Sequence, residues 1–363
     1  MTVYLYSIAM DRVLKGRGAT FNPSGRFAVT THQSVDDGWY QESVPDSIAT
    51  EVRPKAAHSI IARNDSPDIP FTQSINPYRG CEHGCVYCYA RPSHAYVDLS
   101  PGIDFETKLF YKADAARLLR AELARPAYRC QTIMLGANTD PYQPVEKRLG
   151  VTREILEVML QTRHPVAIIT KGTMVLRDLE LLRELAAMNL TRVTVSLTTL
   201  DPELKRTLEP RAASPHARLR VISELARAGV PVSVLTAPMI PAVNDAELEQ
   251  LLAAAAEAGA TRAGYVLLRL PHEVKDLFRA WLEQHLPLRA AHVMSLVQQA
   301  RGGRDNDPRF GKRMRGTGAW AEMLRARFAL TTRRLGLNAE RGPELDTDRF
   351  CPPRGSGQLE LDW

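Results

Sequence analysis

Three of the chain's five cysteines fall within eight residues, in Cys81-Glu-His-Gly-Cys85-Val-Tyr-Cys88. The other two, Cys130 and Cys351, stand far from this motif, and an odd total in 363 residues argues against a disulfide framework. Thiolates are the usual ligands of iron–sulfur clusters, and a cubane has four irons to cover. Three closely spaced cysteines hold three of them. The fourth iron is left open to an exogenous ligand, much as catalytic zinc keeps an open position. Two other chemistries use the same residues. Zinc would recruit His83 or His94, although tetrahedral sites usually pair two Cys-x2-Cys-like knuckles and no second pair exists here. A plain electron-transfer cluster would take a fourth thiolate from Cys130 or Cys351, neither of which sits in a local motif.

The motif follows an apolar run and the loop Asn76-Pro77-Tyr78-Arg79-Gly80. From residue 72 onward short β-rich runs alternate with helical periodicity. Strands are expected at 72–76, 132–136, 166–170, 192–197, 230–237 and 263–269. Helices are expected at 113–124, 152–161, 178–188, 214–228 and 245–258, with Ser214 and Asp245 as N-caps and Gly229 as a C-cap residue. This alternation implies a parallel sheet with right-handed crossovers, and the continuous apolar run Val166-Ala167-Ile168-Ile169 fits burial on both faces. Functional groups of such sheets collect at the carboxyl ends of the strands, which here selects Asn138–Asp140, Lys171, Ser196 and Pro238.

CxxxCxxC after the first strand, with Tyr87 as the aromatic before the third cysteine, resembles the radical SAM superfamily. The resemblance implies that Cys81, Cys85 and Cys88 hold a [4Fe–4S] cluster. Its open iron would chelate the amino and carboxylate groups of S-adenosylmethionine (SAM). An electron from the cluster then cleaves SAM, giving a 5′-deoxyadenosyl radical that abstracts hydrogen from a substrate, with the protein positioning and shielding. It further implies a reducing partner such as flavodoxin or ferredoxin. Over residues 72 to 270 the order of elements is similar to the spore photoproduct lyase-like branch. The matching strand ends are Thr139-Asp140, Thr170-Lys171, Ser196 with Glu209-Pro210 downstream, and Ala237-Pro238. By that likeness Thr139, Lys171 and Ser196 contact SAM, and Tyr87 and Tyr89 pack near its adenine. A purely structural Glu209 would instead pair with Arg211. In place of that branch's cysteine hydrogen donor this chain has Ala137 and Asn138. Cys130 lies about 20 Å away at the other end of the expected strand, so the chain groups with relatives that lack the donor.

The expected architecture is a partial (β/α)6 TIM-like barrel at 71–272. An irregular N-terminal arm precedes it at 1–70. A C-terminal helical extension at 273–335 follows, with helices at 274–286, 291–300 and 319–335, and then a flexible tail at 336–363. No run of about 18 apolar residues is present, so no membrane span is expected, and the default location is cytoplasmic. The net charge of +6 permits an anionic partner. So does the segment 301–315, where Arg301, Arg304, Arg309, Lys312, Arg313 and Arg315 face only Asp305 and Asp307. This makes nucleic acid a possible substrate. The competing function is a non-enzymatic iron–sulfur or zinc module that senses redox state or binds a partner.

Overall fold

A computed structural model describes residues 15–27, 48–340, 342 and 344–353. The strands in chain order are β1 (Glu51–Pro54), β2 (Ile61–Arg63), β3 (Gln73–Ile75), β4 (Tyr78–Arg79), β5 (Lys108–Tyr111), β6 (Ile133–Leu135), β7 (Val166–Thr170), β8 (Thr191–Ser196), β9 (Val232–Met239) and β10 (Arg262–Leu267). The main sheet has the order β10-β9-β8-β7-β6-β3-β2. Its first six members are parallel, and β2 pairs antiparallel with β3 at the edge. Six parallel strands with intervening helices form the partial (β/α)6 barrel that the alternation implies.

Helices Ala115–Leu123, Val151–Gln161, Leu179–Ala187, Pro215–Arg227 and Leu248–Glu257 occupy the crossovers. The helix Pro215–Arg227 starts where its sequence dictates: Ser214 accepts a hydrogen bond from the amide of Ala217, and proline fills the first turn. Asp245, expected as an N-cap, begins a short 3-10 turn ahead of Leu248–Glu257 instead. The core lies between sheet and helices, where Ile75, Leu135, Ile168, Val193 and Val234 are buried against Leu119, Ile155, Leu182, Leu225 and Leu251. The registers Ile75↔Leu135, Leu135↔Ile168 and Ile168↔Val193 level neighbouring strands, so their carboxyl ends open onto one edge.

Three expectations need correction. The N-terminal arm is not wholly irregular: β1 joins β5 and β4 in a second, three-stranded sheet, and β2 extends the main one. Part of the arm, 1–14 and 28–47, lies outside the described residues. The expected tail is tied down as far as residue 353. Leu337 and Leu345 are buried. Asn338 exchanges hydrogen bonds with Ala263, and the Cys351 amide donates to Thr162 O at 2.8 Å. Residues 354–363 lie outside the described part. The arginine-rich segment spends several of its charges internally. Buried Arg301 donates to four backbone carbonyls, Arg309 pairs with Asp307, and Arg313 pairs with Asp68 at 2.5 Å.

At the base of the sheet His164 is fully buried, 2.7 Å from the Tyr128 hydroxyl and edge-on to Phe350. Burial lowers its pKa from 6.5 to about 4. The unfolded chain therefore binds a proton that the folded chain refuses. This contribution to stability is fully present above pH 6.5 and is lost as pH falls toward 4, by up to about 1.4 kcal/mol per unit. Urea unfolding midpoints should drop across that window, and His164→Phe should flatten the drop. An unchanged slope in the variant would remove His164 from the account.

Candidate active site

The cysteine loop begins where β4 ends. Gly80 and Gly84 adopt positive φ there, and the chain turns twice between Cys81 and Cys88, closed by hydrogen bonds from Gly84 N to Cys81 O and from Cys88 N to Cys85 O. Gln143 clamps the entry: its amide nitrogen donates to Gly80 O and its oxygen accepts from the Glu82 amide. The Cys81 amide donates to Phe105 O at 2.9 Å, and the Val86 amide to Leu208 O at 3.1 Å. The exit is held by Arg91, which is wholly buried. Its guanidinium donates to Cys85 O at 2.9 Å, to Gly84 O, Pro101 O and Gly102 O, and to the Glu106 carboxylate. Glu106 in turn accepts from the amides of Gly18 and Ala19, fastening the N-terminal segment over the loop. A Cβ on Gly18 would lie 1.8 Å from Gly84 O, so only glycine permits this approach.

None of the three cysteines is in a disulfide; Cys81 and Cys85 are buried and Cys88 is half-buried. Burial pushes their thiols up, Cys85 to about 12, and Asp140 and the neighbouring cysteines push Cys81 up further. Lys171 opposes the shift at Cys85 and Cys88, Arg218 at Cys85, and Arg91 at Cys88. Three crowded thiolates without a cationic centre are thus disfavoured, whereas binding to iron would stabilise them. Among the described residues no three His, Cys, Asp or Glu side chains gather as ligands of a single ion. Three unbridged thiols on one loop are the donor chemistry that an iron–sulfur cluster takes. Of the histidines proposed for zinc, His83 lies 3.3 Å from Asp140, and His94 Nε2 lies 2.9 Å from Lys108 O while its buried Nδ1 has no hydrogen-bond partner among the described residues. Cys130, just before the amino end of β6, and Cys351, bonded to Thr162 before β7, sit at the opposite edge of the sheet. Neither can complete a four-thiolate set.

The strand-end residues converge beside this loop. Lys171, after β7, donates from Nζ to Ser196 Oγ at 3.0 Å, and the same ammonium stands 6.0 Å over the Tyr87 ring. Asp140 is a hub: it accepts from the Lys171 amide at 2.8 Å, the Thr170 hydroxyl at 2.7 Å and the Tyr142 amide at 2.9 Å. Burial alone would raise its carboxyl, but the adjoining His83 ring and these donors hold it down at about 2. Glu209 is buried, accepting from Arg218, Tyr87 and Thr198. Burial opposes its charge; Arg218 and Lys171 outweigh burial and hold it at about 2. Arg211 instead meets Glu82 at 3.2 Å, which corrects the expected Glu209–Arg211 pair.

The other expected site residues also have partners within the chain. The Tyr87 hydroxyl meets Glu209 and Thr198, making it a strut between the cysteine loop and the residues that follow β8. Thr139 is 1% exposed and its hydroxyl donates to Tyr78 O at 2.7 Å, so it braces the loop that leads to Cys81. Tyr89 is 46% exposed; its hydroxyl donates to Ala137 O, and the Arg269 guanidinium stacks 5.3 Å from its ring. Arg91, Glu106, Gln143 and Arg218 carry much of the site and have no local motif that marks them.

Three unbridged thiols and a lysine–serine pair stand together at the open edge of a partial β/α barrel. Residues 75–255 match the radical SAM superfamily, and the chain belongs to that superfamily. An uncharacterized protein of Mycobacterium tuberculosis (strain H37Rv) is 42% identical over 221 residues, covering 60% of this chain and 65% of that one. An uncharacterized protein of Methanocaldococcus jannaschii is 27% identical over 173 residues, covering 48% of this chain and 62% of its own. The chain thus spans slightly under two thirds of the length of these relatives. Among solved structures, a spore photoproduct lyase complexed with dinucleoside spore photoproduct superposes with a TM-score of 0.57. The identity is 16%, over 79% of this chain and 80% of that one, and it shows a shared fold. Among the described residues no helix is long and apolar enough to cross a membrane.

Proposed function

We propose that this chain is a radical SAM enzyme in which Cys81, Cys85 and Cys88 hold a [4Fe–4S] cluster and Lys171 and Ser196 receive SAM. The observation that carries the reading is the meeting of three unbridged thiols, two of them buried, with the Lys171–Ser196 pair at the carboxyl ends of β7 and β8. When bound, the cluster and SAM supply a one-electron cleavage that yields a hydrogen-abstracting 5′-deoxyadenosyl radical. The chain's own residues do the positioning. The Lys171 ammonium offers donors to the carboxylate of SAM, and Ser196 offers a hydroxyl. Tyr89, the exposed aromatic of the loop, presents a ring face to adenine. Arg91 and Glu106 fix the loop, and Asp140 fixes the backbone of Lys171. Electrons come from a small reducing partner of the flavodoxin or ferredoxin class. With Ala137 and Asn138 at the end of β6, no thiol stands ready there to return a hydrogen atom to a substrate radical. Nucleic acid is the first substrate class to examine, on the net charge of +6 and the likeness to a lyase solved with a dinucleoside photoproduct.

Anaerobically reconstituted protein given dithionite and SAM should release 5′-deoxyadenosine and methionine. Lys171→Met should keep its iron yet raise the SAM concentration for half-maximal cleavage about tenfold, the worth of one charge-assisted hydrogen bond. An intact cluster that yields no 5′-deoxyadenosine would defeat the reading.

A further inference from the structure

A cavity of about 300 Å³ lies between the small sheet and the strand-end cluster, lined by Lys55, Arg79, Lys112, Ser93, Phe110 and Asn138, among others. Three of its walls are cationic. None of Lys55, Arg79 and Lys112 pairs with a carboxylate among the described residues. The only hydrogen bond Arg79 makes among them from its side chain is a long one, 3.4 Å, to Ser93 O. Burial lowers the pKa of both lysines, and the Arg79 guanidinium lowers them further by like-charge repulsion, which Glu122 opposes at Lys112. The Ser93 hydroxyl is buried with no partner. Lys55 Nζ stands 5.7 Å over the Phe110 ring, which gives the cavity an aromatic wall as well. A second cavity of about 210 Å³ shares Lys55 and Lys112 with the first, so the two run together as a groove.

Crowded cations with unspent donors are costly for a fold to keep, and an anion relieves that cost. A single carboxylate supplies one negative charge, whereas a phosphate ester supplies one or two and several acceptor oxygens. We propose that this groove is a phosphoryl-binding site that takes a phosphate ester, with Arg79 and the two lysines on its oxygens and an attached ring against Phe110. Its position suits substrate recognition. Asn138 lies in the cavity wall, and the adjacent Ala137 carbonyl receives the Tyr89 hydroxyl of the cysteine loop. Arg79 is two residues from Cys81. Calling the ester a substrate rests on the radical SAM reading; the binding itself does not.

The test is calorimetric titration of the full chain without SAM or reductant, using two probes. One is adenosine 5′-monophosphate, a monoester. The other is a single-stranded oligothymidylate of about ten nucleotides without a terminal phosphate, a diester chain. At least one should bind, more weakly as salt rises. The double variant Lys55→Met/Lys112→Met should weaken that binding at least about tenfold. Lys55→Met alone, at an exposed residue, guards against misfolding and should weaken it severalfold with an unchanged melting temperature. Monoester binding alone marks a small-molecule substrate, and diester binding alone a nucleic acid. Absence of binding by both probes, or variants that bind as tightly as the parent, would overturn the proposal and leave SAM cleavage untouched.

Discussion

Replacing Cys85 by alanine is expected to abolish iron binding and SAM cleavage together, while Cys130→Ala and Cys351→Ala leave both at the level of the parent. The contrast follows from position. Cys85 is buried on the loop that Arg91 grips through its own carbonyl, and it is the thiol on which Lys171 and Arg218 both act. Without metal, burial and the nearby Glu209 carboxylate keep this thiol neutral, at about 12. Iron must displace its proton, and the loss of one of three thiolates leaves two irons of a cubane without protein ligands. Cys130 and Cys351 sit across the sheet and have no route to the cluster. Iron and sulfide analysis with 5′-deoxyadenosine assay of all three variants checks this. Iron retained in Cys85→Ala at the parental content would show that the thiol is not a ligand. Iron lost in Cys130→Ala would point to a closed four-thiolate cluster.

The sheet was readable because its chemistry is local. The strand expected at 166–170 is the observed β7, and the run Val-Ala-Ile-Ile is apolar throughout because both faces are covered. Parallel order then forces the residues after each strand to a common edge, which is why Asp140, Lys171 and Ser196 could be selected together before any contact was known. What stayed hidden depends on distant pairing. β1 finds β5 across more than fifty residues, and a four-residue edge strand such as Glu-Val-Arg-Pro carries too little pattern to announce it. The base of the fold is closed by Asn338, Leu345 and Phe350, three residues scattered through a segment whose composition reads as a tail. Arginine count misled in the same way. Composition gives Arg301 and Arg315 equal weight, yet one is buried against four carbonyls and the other is exposed. The hydroxyl partners of Tyr87 and Thr139, on Glu209 and on Tyr78 O, come from distant parts of the chain and carry no local signal.

Arg91→Met is expected to destabilise the folded protein by about 3–5 kcal/mol, the usual result of leaving half of a buried ion pair behind. The side chain has no exposure, and neither does its partner Glu106. Its removal strips donors from Gly84 O, Cys85 O, Pro101 O and Gly102 O and leaves the Glu106 carboxylate, among the described residues, to the amides of Gly18 and Ala19 and the nearby Arg17 guanidinium. Arg91→Lys should rescue little, because one ammonium cannot reach acceptors set around a planar fork. Arg91→Met/Glu106→Gln separates the two costs. It removes the stranded charge and should recover part of the loss, but among the described residues Gly84 O, Pro101 O and Gly102 O lose their donor and Cys85 O keeps only the Cys88 amide, so the double variant remains less stable than the parent. Two of these carbonyls, Gly84 O and Cys85 O, belong to the turn that carries Cys85, so variants that still fold should also lose iron faster to a chelator. Urea unfolding and the rate of chelator-driven bleaching, followed on the same samples, read the two effects separately. A variant that unfolds like the parent and holds its iron equally well would show that the cysteine loop keeps its shape without the arginine.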